Sequence, residues 1–311
     1  MERKNLILIK RPTSRCPDSL VFLLWMLLTH VLPAAEFVVP NDLENVEGDS
    51  ASGVPFFIEN AGWPSLRFQQ IYDANQFSQA NPDGSYITEI RFRDDSQSVG
   101  SGSMISSIQI NLSATARPAG GLSTNFASNV GPDDTVVFGP AELTIVGECC
   151  GAAPGPFADT INLTSPYYYR PSAGNLLLDV RNYTGGIFRP FSLPSLDATT
   201  QKPSVSMIYA NPVDATSGMR SPLGLVTLFQ FFPVPQLTNR MSTNAVVVTW
   251  PTHPSVFVLQ GAISLTAPDW RPITNGFTTG ALYHTLTLPR ESLGTRQFFR
   301  LAWDSGQPLG N

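Results

Sequence analysis

The clearest element in the chain is a short apolar run with turn-forming residues at both ends. It covers residues 174–182, which read Gly-Asn-Leu-Leu-Leu-Asp-Val-Arg-Asn. The run is too short for a typical helix, and in its second half apolar and charged residues alternate. It therefore predicts a central β-strand that places Leu176, Leu178 and Val180 in a core, while the two charged residues face solvent.

Similar short patterns fill most of the chain. About a dozen segments rich in β-branched and aromatic residues lie within residues 56–233, and each is bounded by Gly, Pro, Asn or Asp. In the strand predicted at 86–93, Ile90 and Phe92 face the core and Arg93 lies on the wet face. This spacing, without a helical period between the strands, predicts an all-β fold, an antiparallel jelly-roll-like β-sandwich over this region.

A proline pair divides this region from a second set of strands. Two prolines in Pro233-Val234-Pro235 remove ladder donors and cannot continue a central strand, so we place a domain boundary there. Residues 236–304 are predicted to form a small immunoglobulin- or fibronectin-like sandwich, followed by a tail at 305–311. Trp250 and Trp270 are expected in its core.

The first thirty-five residues have the order of a secretory signal peptide. Basic residues precede an apolar run at 20–32, and Ala34-Ala35 follows Pro33. This run of about thirteen residues is shorter than the roughly twenty that span a bilayer. We expect cleavage after Ala35 and a mature chain without a membrane span, secreted or held at the cell surface. An uncleaved anchor is the alternative, and residues 36–55 are polar and predicted as a linker or leading segment.

The charge balance excludes two classes of partner. The chain carries a formal charge of −5. Residues 1–35 hold five of its nineteen basic and two of its twenty-four acidic residues, which leaves fourteen against twenty-two, or −8, for the remainder. Because only Lys202 and scattered arginines are basic there, no cluster favours nucleic acid or anionic lipid.

Cys149 and Cys150 are the only cysteines left after removal of the leader. In an oxidising compartment the pair predicts a vicinal disulfide. Two free thiols and pairing between chains are the alternatives, because disulfide geometry is demanding.

Tyr167 and Tyr169, followed by Arg170, are the best candidates for a ligand platform. Aromatic rings on the outer face of a sheet can stack on sugars, whereas tyrosines at a sandwich rim with their hydroxyls in water are the structural alternative. No cofactor is expected. A structural calcium ion is the one alternative, and its oxygen ligands would come from loop aspartates, which also form turns; the candidates are Asp83, Asp94, Asp95, Asp133 and Asp134.

Segments of both regions resemble known bacterial proteins. In the larger region they are 67–72, 121–138 and 175–181, which are similar to uncharacterised exported β-sandwich proteins that often end in an exosortase-type sorting tag; the C-terminal apolar span and basic residues of such a tag are absent here. In the smaller region 248–251, 257–260, Trp270 and 297–301 resemble a small sandwich module found near the C-termini of secreted and surface proteins of environmental bacteria. The resemblance implies export and a β-sandwich, but no site residues.

The sequence contains no recognisable catalytic constellation: no nucleophile with a base, no phosphate loop and no Gly-x-Ser-x-Gly. We therefore expect a non-catalytic secreted or surface protein with a structural or adhesive role, or one that binds extracellular polysaccharide or surface matrix. The alternative is a polysaccharide-active hydrolase with an accessory module, because the two carboxylates of a glycosidase need no fixed spacing.

Overall fold

A computed structural model describes residues 6–10, 34–98, 102–146, 153–186, 195–252, 257–266, 268–292 and 296–303. The chain divides into two compact units, one formed by Ala34–Pro233 and the other by Met1–Pro33 together with Val234–Asn311. The division falls after Pro233, within the proline pair. Every strand pairing is antiparallel, which confirms the all-β prediction.

Thirteen strands occur in the described residues of the larger unit. With strands numbered along the whole chain, they are β2 (Ala35–Val39), β3 (Ser50–Ser52), β4 (Leu66–Tyr72), β5 (Ser85–Phe92), β6 (Ser103–Thr115), β7 (Thr135–Ile145), β8 (Asp159–Tyr169), β9 (Asn175–Asn182), β10 (Leu196–Thr199), β11 (Val205–Ala210), β12 (Met219–Ser221), β13 (Gly224–Leu225) and β14 (Thr227–Pro233). Its described helical segments are 3₁₀ turns at Asn41–Leu43, Ile58–Ala61, Ala74–Phe77, Phe126–Ser128 and Pro171–Ala173.

Two sheets enclose the main core of this unit. A six-stranded sheet has the order β12-β11-β4-β9-β6-β7, and a four-stranded sheet has the order β2-β14-β5-β8. A short third sheet has the order β13-β10-β3. Strand β9 lies between β4 and β6, and Leu176, Leu178 and Val180 belong to one apolar cluster with Phe229 of the four-stranded sheet. The predicted central strand and its three core residues are confirmed.

The predicted linker at 36–55 is wrong, because this segment belongs to the sandwich. Strand β2 pairs with β14, and β3 pairs with β10. The sequence Glu-Phe-Val-Val alternates between the faces of the sheet, and both Val38 and Val39 are buried. Burial of these two valines stabilises the paired segment, although its overall composition is polar.

The outer face of β9 is also less exposed than expected. Asp179 is 3% exposed, and its Oδ2 accepts hydrogen bonds from Gln69 at 2.8 Å and Arg67 at 2.9 Å within the sheet. The connection between β6 and β7 covers part of this face, and it places Phe126 beneath the Arg67 guanidinium. The expectation that Asp179 faces solvent is therefore wrong.

Arg93 is likewise buried, not on a wet face. Its side chain is 1% exposed, and its Nε donates to Asp197 Oδ2 at 2.7 Å. Its guanidinium packs over the Phe157 ring at 4.8 Å. Its Nη1 and Nη2 groups donate to three backbone carbonyls of the segment after β2, those of Leu43, Glu44 and Val46. Burial raises the pKa of Asp197, and the bond and charge of Arg93 oppose that rise.

The smaller unit contains two four-stranded sheets, β1-β21-β17-β18 and β15-β16-β20-β19. Trp250 is a core residue as predicted, whereas Trp270 is half-buried with Arg300 over its ring at 4.4 Å. The strands are β1 (Leu6–Lys10), β15 (Thr238–Met241), β16 (Ala245–Pro251), β17 (Phe257–Ala262), β18 (Arg271–Pro272), β19 (Phe277–Thr279), β20 (Tyr283–Pro289) and β21 (Arg296–Trp303), with a 3₁₀ turn at Arg290–Ser292.

Strand β1 comes from the predicted signal peptide. Its five residues pair with β21, from Leu6 opposite Arg300 to Lys10 opposite Arg296. Cleavage after Ala35 remains a prediction. Among the described residues, no helix has the length and apolar character needed to cross a bilayer.

Candidate functional site

Three aromatic side chains form one row on the outer face of the four-stranded sheet. Phe232 of β14 lies opposite Tyr86 of β5, and Tyr86 lies opposite Tyr168 of β8. All three are half-buried, while their neighbours Phe231, Ile87 and Tyr167 belong to the core. The rings of Tyr86 and Tyr168 have centroids 5.4 Å apart. We call Phe232, Tyr86 and Tyr168 the aromatic row.

A β-bulge places Tyr86 in this row. Ile90 and Phe92 point into the core, so regular alternation would also turn Tyr86 inward. The pairing of β5 with β14 shifts between Glu89 and Ile87, which leaves Thr88 as an extra residue. Ile87 therefore takes the core position, and Tyr86 lies outside.

The turn before β5 holds the outer end of Tyr168. The Tyr168 hydroxyl donates to the carbonyl of Asp83. Gly84 has a φ of 102°, and a Cβ there would lie 2.6 Å from both the Tyr168 hydroxyl and the Arg170 Cγ. Only glycine combines this conformation with so close an approach. The exposed Arg170 thus borders the aromatic row.

A polar row runs beside the aromatic row on the same face. Glu36, Gln230, Glu89 and Asn162 lie opposite one another across the four strands. Arg91 forms ion pairs with Glu36, at 3.2 Å, and with Glu89. The face therefore combines flat apolar surfaces with hydrogen-bonding groups, among which two carboxylates share one guanidinium.

The predicted ligand platform has the wrong register. Tyr167 and Tyr169 are 3% and 0% exposed and belong to the main core. Their hydroxyls donate to Asp133 Oδ2 at 2.7 Å and to the Gly174 carbonyl at 2.8 Å. Burial raises the pKa of both phenols. Of the three consecutive tyrosines, Tyr168 is the one that faces outward, because alternation continues from Ile161 and Leu163.

The predicted calcium ligands are not brought together as a cluster. Asp133 accepts from Tyr167 and from the Ala114 amide, and Asp134 accepts from Asn111. Within the described ranges, no group of three or more His, Cys, Asp or Glu side chains is arranged to hold a metal ion. Cys149 and Cys150 lie outside the described residues.

The aromatic row could not be found from the sequence, because its residues lie on three strands and one of them depends on the bulge. Its chemistry suits a ligand with apolar faces and polar edges, since Tyr and Phe rings stack while neighbouring carboxylates and amides accept and donate hydrogen bonds. Comparison with models of protein families finds no match, and comparisons with curated proteins and with solved structures find none either.

Proposed function

We propose that this protein is an exported, non-catalytic binding protein, and that the aromatic row is its site for extracellular carbohydrate polymer. The single observation that carries the proposal is the alignment of Phe232, Tyr86 and Tyr168 across adjacent strands on an outer sheet face. Neighbouring strands are about 4.8 Å apart, so the row extends about 10 Å. A sugar chain has apolar ring faces and hydroxyl edges, which match the aromatic row and the polar row beside it.

Two further features support this function. Charged residues are 14% of the chain, which is low and favours a neutral ligand over a nucleic acid or an anionic membrane. The order of basic, apolar and small residues in 1–35 supports export. The N-terminal sequence of protein recovered from culture medium tests the export part.

Binding is tested by retention on insoluble and soluble polysaccharides, with reducing ends measured in the same samples. The test variant is Tyr86→Ala/Tyr168→Ala. The matched control is Tyr183→Ala, which removes an exposed tyrosine, 37% accessible, that lies outside the row. We expect the test variant to lose about thirtyfold or more in affinity for at least one polysaccharide, since each of two stacked rings contributes on the order of 1–3 kcal/mol.

Equal retention of the test variant and the control would refute the assigned site. Release of reducing ends that disappears in Glu36→Gln or Glu89→Gln would refute the non-catalytic part, because these are the carboxylates of the neighbouring polar row. Failure of every polysaccharide to bind the unmodified chain would refute the carbohydrate assignment.

A further inference from the structure

A concave surface lies beside β11 of the six-stranded sheet. It is a cleft of ≈ 390 Å³, which falls within the range of small-ligand sites. The connection between β10 and β11 forms one wall, and β12 forms another. Residues 120 and 122, from the connection between β6 and β7, complete the lining.

The cleft is lined by two cations and no acid. Lys202 and Arg220 both line it, together with Gln201, Thr200 and Ser221. This composition contrasts with the chain as a whole, which has a formal charge of −5. Because both charged side chains in the lining are cations, the cleft favours a negatively charged ligand.

Arg220 is held in place by one hydrogen bond and has further N–H donors. Its position on β12 is fixed opposite Ile208 of β11, and its Nη1 donates to the Leu122 carbonyl at 3.2 Å. A guanidinium carries five N–H donors. Within the described part of the chain Arg220 forms no ion pair, so its remaining donors can bond a ligand.

Lys202 and Ser221 add donors beside Arg220. Lys202 forms an exposed ion pair with Asp42, which does not line the cleft. An ammonium group has three donors, so one acid neighbour leaves others for a ligand. The Ser221 hydroxyl accepts from the Leu223 amide at 3.1 Å, and its own proton is left to donate.

We propose that this cleft binds the carboxylate or sulfate group of an acidic sugar. Paired N–H donors of arginine match the oxygens of an oxyanion, and lysine adds a second charge. Gln201 supplies a polar contact for sugar hydroxyls, and the Thr200 oxygen, whose proton is donated to Asp49 Oδ2 at 2.6 Å, can accept from one. That the oxyanion is carried on a sugar rests on the proposed function; the oxyanion itself follows from the cleft.

The test measures binding of glucuronate and galacturonate oligomers, a sulfated glucose, a neutral glucose oligomer and inorganic sulfate to the full chain by calorimetry. The variant is Arg220→Gln, and the control is Arg117→Gln. Arg117 also donates to a loop carbonyl, that of Ser128 at 3.0 Å, but it does not line the cleft. The control therefore matches the test variant in losing one positive charge and one hydrogen bond to a backbone carbonyl.

We expect at least one acidic sugar to bind, with an affinity that falls about tenfold in Arg220→Gln and falls with added salt. Arg117→Gln should leave the affinity unchanged, and Arg220→Lys should retain part of it. Lys202→Gln, at the other cation of the cleft, provides a second variant if Arg220→Gln does not fold.

Three results would overturn the proposal. The first is a loss of affinity in the Arg117→Gln control equal to that in Arg220→Gln. The second is an affinity for the neutral glucose oligomer equal to that for the acidic sugars. The third is an affinity for inorganic sulfate equal to that for any sugar. Tyr86→Ala/Tyr168→Ala separates the two sites. If acidic-sugar binding is lost in Tyr86→Ala/Tyr168→Ala but kept in Arg220→Gln, the ligand binds at the aromatic row and only the cleft proposal is refuted. If an acidic sugar binds at the cleft but no polysaccharide is retained by the aromatic row, only the proposed function is refuted.

Discussion

The buried ion pair between Arg93 and Asp197 gives the sharpest prediction of stability. Asp197→Asn keeps the shape of the side chain and its ability to accept from the Gly48 amide, which donates to Oδ1 at 2.8 Å. It removes the negative charge 2.7 Å from a guanidinium that is 1% exposed. Because the Gly48 amide keeps the oxygen, the substitution also places an NH2 group where Oδ2 accepts from Arg93 Nε. It therefore removes both the counterion and one acceptor of a buried cation.

Breaking a buried pair by removal of one partner costs about 3–5 kcal/mol. Two features place the expected loss near the lower value. Arg93 keeps its bonds to three backbone carbonyls, and the variant no longer desolvates a carboxylate, the cost that raises the pKa of Asp197. We expect the free energy of unfolding to fall by about 3 kcal/mol, which in a unit of this size lowers Tm by about 6–12 °C.

The loss is measured by urea unfolding of the full chain. Hydrogen exchange of peptides from β4 and β9 identifies the transition of the larger unit, because a chain with two units need not unfold in one step. Asp42→Asn is the control. Its partner Lys202 and the aspartate are 33% and 60% exposed, and such surface pairs contribute at most about 1 kcal/mol.

A double-mutant cycle with Arg93→Met completes the test. If the charge left behind is the cause, Asp197→Asn must cost much less in the Arg93→Met background than in the unmodified protein. A loss below about 1 kcal/mol for Asp197→Asn alone, or equal losses in both backgrounds, would refute this reasoning.

Three further predictions follow from single features. Gly84→Ala should lower the free energy of unfolding by about 1–3 kcal/mol, because the φ of Gly84 is positive. The added methyl group should also displace the Tyr168 ring and so weaken polysaccharide retention. Unchanged retention would contradict this. Tyr72, Tyr167 and Tyr169 have pKa values raised by burial, so the unfolded chain loses these protons first, and stability should fall as the pH rises above the ordinary tyrosine value of 10.0. Absorbance titration should show three of the eight tyrosines ionising only with unfolding, against a urea-unfolded reference in which all ionise together. Protein from the culture medium should lack residues 1–35 by N-terminal sequencing, and intact Met1 in a membrane fraction would contradict this.

Local patterns were sufficient to predict the central strand. The three leucines before Asp179 are followed by strict alternation, so both the element and its core residues follow from neighbouring positions. The information for these core residues lies within nine residues of sequence, whereas the burial of Asp179 on the opposite face depends on the connection between β6 and β7.

Long-range contacts explain the failures. Arg93 continues a wet face in the local pattern, but its partner Asp197 is 104 residues away and no periodicity indicates it. Tyr86 should point inward with Ile90 and Phe92, and the extra residue that reverses it is apparent only from the pairing with β14. The aromatic row combines residues from three strands, so neither its existence nor its register follows from the tyrosine run at 167–169.

The bulge at Thr88 makes the displayed surface depend on strand pairing as well as on residue type. Deletion of Thr88 would restore regular alternation while Ile87 stays inward and Tyr86 stays outward. Regular pairing of Thr88, without the bulge, would instead turn Tyr86 inward and Ile87 outward with every amino acid unchanged. Deletions in a strand are commonly regarded as damage to a fold. In β5 the loss of this one residue would leave the aromatic row in place, so the row is compatible with a shorter strand but not with a strand of the present length that lacks the bulge.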